Sequence, residues 1–94
     1  MQYAVIVEVD NSREDPEKGR RELREDLAPA MKQMPGFVTA IFMTDYEKGR
    51  GLAVMVFENR DLADQIASGL TIGNELRNGV IVTSVDVMEA PATA

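Results

Sequence analysis

Met34-Pro35-Gly36-Phe37-Val38-Thr39-Ala40-Ile41-Phe42-Met43-Thr44 is the stretch at which a charged helix stops and an apolar strand begins. Proline cannot continue a helix and disfavours α geometry at Met34, while Gly36 gives the backbone access to positive φ. A sharp reversal is therefore written into the covalent chain, and the elements on either side can be assigned outward from it.

Upstream, Leu23, Leu27, Met31 and Met34 recur at helical spacing and form one apolar stripe. The charged pairs Glu14/Lys18, Glu17/Arg21 and Arg21/Glu25 stand at i,i+4 and read as a solvated face. Asp15 is the expected N-cap and Pro16 the first helical residue. Pro29 deprives the Glu25 carbonyl of its partner, so a kink or short break is expected near Asp26 to Ala28. Before the helix lie a polar loop, Asp10 to Asp15, and a first strand, Tyr3 to Val9. Its two faces, Tyr3, Val5, Val7 and Val9 against Ala4, Ile6 and Glu8, are both largely apolar.

Downstream, the strand Phe37 to Thr44 is joined to a third, Leu52 to Phe57, by a short glycine-containing connection that reads as an antiparallel hairpin. Within it, Lys48-Gly49-Arg50-Gly51 lacks the longer glycine pattern and the following helix start of a phosphate cradle, so a turn is the better reading. Asn59 is the expected cap of a second helix with Leu62, Ile66 and Leu70 on one stripe beside Ala63 and Ala67. Thr71 to Asn78 reads as a connector with room for one more helical turn, and Asn78-Gly79 as a turn before a last strand, Val80 to Met88. Residues 1-89 thus form one domain, with 90-94 a disordered tail.

The composition closes off several functions. The 94 residues contain no cysteine and no histidine, which removes disulfides, thiolate and imidazole metal ligands, an imidazole haem ligand, a cysteine nucleophile and an imidazole general base. Neither a metal nor another cofactor is expected. A net charge of -6 argues against nucleic acid as the main partner. No window is apolar for the ~18 residues of a membrane span, no membrane partner is expected, and Met1 leads directly into a strand-like run without a signal-peptide pattern, so a cytoplasmic location is the default expectation.

The order β-α-β-β-α-β is the ferredoxin-like arrangement of the α+β class, a four-stranded antiparallel sheet with two helices on one face. Two helices cover one side of such a sheet. Yet Leu52, Val54 and Val56 stand opposite Ala53, Met55 and Phe57, and Phe37, Ile41 and Met43 opposite Val38, Ala40 and Phe42. The second apolar face needs a cover, and a second copy of the same sheet is the simplest supplier. A sheet-to-sheet homodimer is expected.

The span from Tyr3 to Met88 resembles the dimeric α/β-barrel superfamily, and especially antibiotic biosynthesis monooxygenase-like proteins. The resemblance is carried by the turn Pro35-Gly36-Phe37 after the first helix and by Phe57-Glu58-Asn59-Arg60-Asp61-Leu62, where a strand runs into a helix start. Phe57 stands where such proteins often carry tryptophan, and Ile66 where many carry a pocket histidine. Haem degradation, another activity of the family, uses both residue types and is set aside. What the resemblance still implies is cofactor-independent oxygenation of a small aromatic or quinone-like metabolite, which asks for an apolar pocket and a few orienting polar groups. By the resemblance Phe57 faces that pocket, and strand alternation then puts Met55 on the same side. Leu27, Met31 and Ile66 would close it from the helices, and Phe42 belongs with the same apolar set. The alternative is a non-catalytic homodimeric ligand-binding or protein-interaction module in which these side chains simply fill the core.

The remaining polar features have plain structural readings. Glu22/Asp26 and Asp61/Asp64 lie among surface-type residues, Asn59 and Arg60 are explained by capping and solvation, and Tyr46 is expected to be exposed in its turn. Glu8 interrupts an apolar strand face; a pocket carboxylate acting as a base is one reading, and a sheet-edge position or a pairing with an arginine across the dimer is the favoured one.

Overall fold

A computed structural model describes all residues, Met1–Ala94. The elements are β1 (Tyr3–Asp10), α1 (Pro16–Glu22), a π-helical stretch (Leu23–Leu27), α2 (Ala28–Lys32), β2 (Phe37–Asp45), β3 (Arg50–Phe57), α3 (Arg60–Ser68) and β4 (Ile81–Glu89). The strands form one antiparallel sheet in the order β2-β3-β1-β4. This is the expected ferredoxin-like α+β architecture, with Leu27 and Met31 on one helical arm and Leu62, Ala63 and Ile66 on α3 packed against Val5, Val7, Met55, Phe57 and Val82 of the sheet.

Each helix starts where its cap chemistry dictates. The Asp15 carboxylate accepts the Lys18 N–H at 3.1 Å with Pro16 following, and the Asn59 side chain accepts the Leu62 N–H at 3.0 Å. Pro29 produces neither a break nor a free end. The helical path runs on from α1 to α2 through a widened turn in which the Ala28 N–H reaches back to the Leu23 carbonyl, an i→i−5 bond. Widening the turn accommodates the proline ring, which in a regular α-helix would meet the carbonyl four residues earlier.

Two β-irregularities correct the simple alternation. In β2 the register slips between Phe37 and Thr39, so Phe37 pairs with Phe57 and Thr39 with Val56. The slip carries Phe37 away from the face of Ile41 and Met43 to the helix side, where its ring meets Phe57 edge-on with centroids 6.2 Å apart. In β4 a second shift opposite Glu8 and Val9 keeps Val82, Val85 and Val87 all within reach of the core. Glu8 is at no edge, since β1 is interior, and its partner is Arg50 of the adjacent strand in the same chain.

The connector after α3 holds no extra helical turn. It folds back on the start of β4 instead, with Gly73 N–H bonded to the Val82 carbonyl and Leu76 N–H to the Val80 carbonyl, both at 2.8 Å. Asn78 and Gly79 have φ of 51° and 78° and the Val80 N–H closes onto Arg77 O, a tight turn of the kind that Asn-Gly favours. Beyond Glu89 the chain has no regular structure, but Ala90 N–H and the Thr93 hydroxyl both bond to Gln2.

The reversal after α2 is tied down by the Glu58 N–H donating to the Gly36 carbonyl at 2.9 Å, which joins the end of the helical arm to the start of α3. Gly36 has φ +76°, and a β-carbon there would collide with Leu62 Cδ1. Gly36→Ala is therefore expected to destabilise the fold by about 1–3 kcal/mol in urea denaturation. A loss below about 0.5 kcal/mol, the scale of neutral surface changes, would contradict this account of the turn.

Candidate functional site

Between the helical layer and the sheet lies a partly open cavity of about 340 Å³. Leu23, Leu27 and Met31 wall it from the helical arm, Ile66 and Leu70 from α3 and its end, and Phe42, Ala53 and Met55 from the sheet. The π-helical stretch supplies Leu23 and Leu27, so the widening forced near Pro29 falls at the wall. Leu76, Arg77 and Val80 of the folded-back connector close one end.

Of the six residues singled out from the sequence, the structure brings Leu27, Met31, Phe42, Met55 and Ile66 to this one cavity. Phe57 is not at the wall. It is 1% exposed, locked against Phe37 in the packed part of the core.

The cavity also has a polar end that sequence reasoning did not identify, formed by Asn11, Glu14 and Arg77. Asn11 is 2% exposed; its Nδ2 donates to the Arg50 carbonyl at 3.1 Å, while its Oδ1 is buried with no hydrogen-bond partner. An unpartnered buried acceptor costs about 1–3 kcal/mol, and this oxygen is sealed off, with no surface open to the cavity. Glu14, 8% exposed, belongs to no solvated face: its carboxylate accepts the Tyr46 hydroxyl at 2.9 Å and, more distantly, Asn78 Nδ2 at 3.5 Å. Glu22 is likewise not a free surface carboxylate, since it accepts Arg77 Nε at 3.0 Å and Asn78 Nδ2 at 2.8 Å. Its helical neighbour is Lys18 at 4.0 Å, an i,i+4 pair other than the three expected from the sequence.

Tyr46 turns back from its loop rather than lying exposed. Its hydroxyl is held by Glu14 and its ring lies under the Arg20 guanidinium, 5.1 Å from the centroid. Loss of solvent, the hydrogen bond to Glu14 and the charge of Glu14 push the phenol up from 10.0 to about 12, against the opposing charges of Arg20 and Arg77. Gly19 makes this possible: a β-carbon there would collide with Tyr46 Oη and Glu14 Oε1. A glycine inside a charged helix was the one sequence signal of the buried Glu14–Tyr46 pair.

No family model, curated protein or solved structure matches the chain.

The Tyr46 phenol generates a pH prediction whose sign follows from linkage. Its folded pKa is raised above the unfolded value of 10.0, so its contribution to stability is full below pH 10 and is lost as pH rises through about 12. In a Tyr3→Phe variant, the phenolate absorbance of the folded protein should titrate near 12 and return toward 10 on adding Glu14→Gln. A folded midpoint near 10 without the second change would show that the Glu14–Tyr46 contact does not form.

Proposed function

We propose that the protein binds a small aromatic or quinone-like molecule in this cavity, as a homodimer joined sheet to sheet, and that cofactor-independent oxygenation is the chemistry for which the site is suited. The observation that carries the reading is the cavity itself. It is apolar on most of its wall, has a few polar groups at one end, and is of the size in which proteins hold small ligands, roughly 300–1,000 Å³. An apolar cavity of about 150 Å³ is enough for benzene, so the present one has room for fused rings. The resemblance to antibiotic biosynthesis monooxygenase-like proteins supplies the oxygenation part of the proposal.

In such a reaction the ring itself provides the electrons. Removal of a proton beside a ring carbonyl gives an electron-rich anion that reacts with dioxygen. One oxygen atom becomes a new carbonyl, and the other leaves as water with the two hydrogens of the attacked carbon. The protein has to orient the ring, keep bulk water away and hold a proton acceptor nearby, which is a role within reach of the Glu14 carboxylate.

The dimer is supported by the uncovered sheet face. Ile6, Val54 and Ile41 stand in one register row there, and Ile41 and Met88 are 55% and 58% exposed. Covering this face with a second sheet would bury it at the scale of a standard interface, ~1,600 Å² in total.

A second reading keeps the cavity and the dimer but not the turnover. It is favoured by the absence of histidine, which leaves Glu14 as the only carboxylate at the wall. Naphthols, anthrones and quinols screened for both thermal shift and oxygen uptake distinguish the two. Turnover of a bound compound is the expected result, a shift without oxygen uptake would establish the non-catalytic binder, and silence in both would contradict binding. Light scattering at micromolar concentration should give a dimer mass; a monomer would contradict the sheet-to-sheet assembly.

A further inference from the structure

Which ring the cavity takes, granted the small-molecule reading on which this rests, depends on the hydrogen-bonding groups left open at its polar end. Asn11 contributes none, because its Nδ2 is spent on the Arg50 carbonyl and its Oδ1 is sealed. Arg77 is the only cation among the lining residues. Its Nε donates to Glu22 Oε2 at 3.0 Å, while the N–H groups of Nη1 and Nη2 have no partner in the chain. The side chain is 34% exposed, so these donors are not closed off as the Asn11 oxygen is. Their direction is fixed from both ends. The Arg77 carbonyl accepts the Val80 N–H at 2.8 Å in the Asn78-Gly79 turn, and Glu22 is itself anchored by Asn78 Nδ2 at 2.8 Å. Because a guanidinium is planar, holding Nε at Glu22 sets the plane in which the free donors lie. The one hydroxyl at the wall, Thr44, is exposed on the edge strand β2 and carries no charge.

We infer that Arg77 is a specificity-determining residue whose free guanidinium donors hold the carbonyl oxygen of a ring ligand, with Glu22 as its positioning residue, so that the cavity favours ring ketones and quinones over an oxygen-free ring of the same shape. The ring itself packs on the apolar wall of Leu23, Leu27, Met31 and Met55. A hydrogen bond from a charged donor is about twice as strong as a neutral one. An oxygen-free ring in the same space takes Arg77 partly out of water and gives its donors nothing in return, and that cost separates the two ligands. The Glu14 carboxylate keeps acceptor capacity beyond the Tyr46 hydroxyl, so a hydroxyl elsewhere on the ring is accommodated beside the carbonyl.

The test uses two probes with one bicyclic skeleton, 1-tetralone and tetralin, which differ in the carbonyl oxygen, titrated calorimetrically. The native protein should bind the ketone about tenfold more tightly than the hydrocarbon. Arg77→Met keeps the apolar stem without the donors and should bring the two to similar affinity, and the infrared carbonyl stretch of bound 1-tetralone should rise as its hydrogen bond is lost. Arg77→Lys keeps the charge without the planar fork and should lower the ketone preference several-fold; it decides the matter if circular dichroism shows that Arg77→Met does not fold. Glu22→Ala should lower the ketone preference with tetralin binding unmoved, since it frees the guanidinium without removing it. Equal binding of the two probes by the native protein would overturn the inference while leaving the cavity as a binding site. A ketone preference and carbonyl stretch unchanged in the folded Arg77 variants would overturn the assignment to Arg77, and a preference unchanged in Glu22→Ala would overturn the role of Glu22. Failure of both probes to bind would overturn the binding reading itself, and this inference with it.

Discussion

The sheet is apolar on both faces, while the chain supplies helices for only one of them. On the covered side, Val5, Val7, Met55, Phe57 and Val82 pack with Met31 and Ala63 into a continuous buried cluster. On the other side, Ile6, Val54 and Ile41 line up across three strands with no element of the same chain over them. Burial of apolar surface is the dominant favourable term in folding and association, so this asymmetry governs both how the domain closes and where it presents its sticky surface. The Glu8–Arg50 ion pair stands on that open face beside the apolar row, a polar mark at one end of it.

The covered side is not filled to the same density along its length. Around Phe57 the packing is closed by Phe37, which the β2 bulge delivers to the helix side. Toward the opposite end of the strands the helical arm widens into its π turn, α3 ends in Gly69, and small residues such as Gly51 and Ala53 occupy β3. The space left there is bounded by three pieces of irregular backbone: the loop carrying Asn11 and Glu14, the hairpin carrying Tyr46, and the folded-back connector carrying Arg77 and Asn78. Glu14 and Glu22 draw these pieces together by hydrogen bonds, so the polar end of the cavity is also what holds the loops in place.

Most of the architecture could be read from local chemistry. Asp15-Pro16, Pro35-Gly36 and Asn59 each act through the backbone within a few residues of themselves, and each element begins or ends where that chemistry requires. Strand alternation also brought Met55 to the right face. It failed at Phe37, because one inserted residue reverses the side chains beyond it and nothing in Phe37-Val38-Thr39 announces the bulge; Phe57 does share the helix side with Met55, but Phe37 packs against it and closes it off from the cavity. Pro29 signalled a distortion, but a widened turn satisfies more backbone groups than the expected break. The polar end was hidden for a different reason. Asn11, Glu14 and Arg77 are held by hydrogen bonds to Arg50, to Tyr46 and Asn78, and to Glu22, across 32 to 64 positions of sequence, and Glu14 four residues before Lys18 has the spacing of an ordinary surface pair. The connector escaped as well, since its hairpin-like fold depends on β4 being there to receive it.

The central claim is that the apolar space between helices and sheet receives a ring-shaped ligand while the open sheet face does not. The methionines report on both regions at once: Met31 and Met55 line the cavity, whereas Met88 lies exposed at the open face. The direct measurement is a two-dimensional carbon–proton spectrum of the methionine methyl groups during a titration with 1-naphthol. Large ring-current shifts of Met31 and Met55, with Met1 and Met88 unmoved, are the predicted result. Shifts confined to Met88, or no saturable shift at Met31 and Met55, would contradict it.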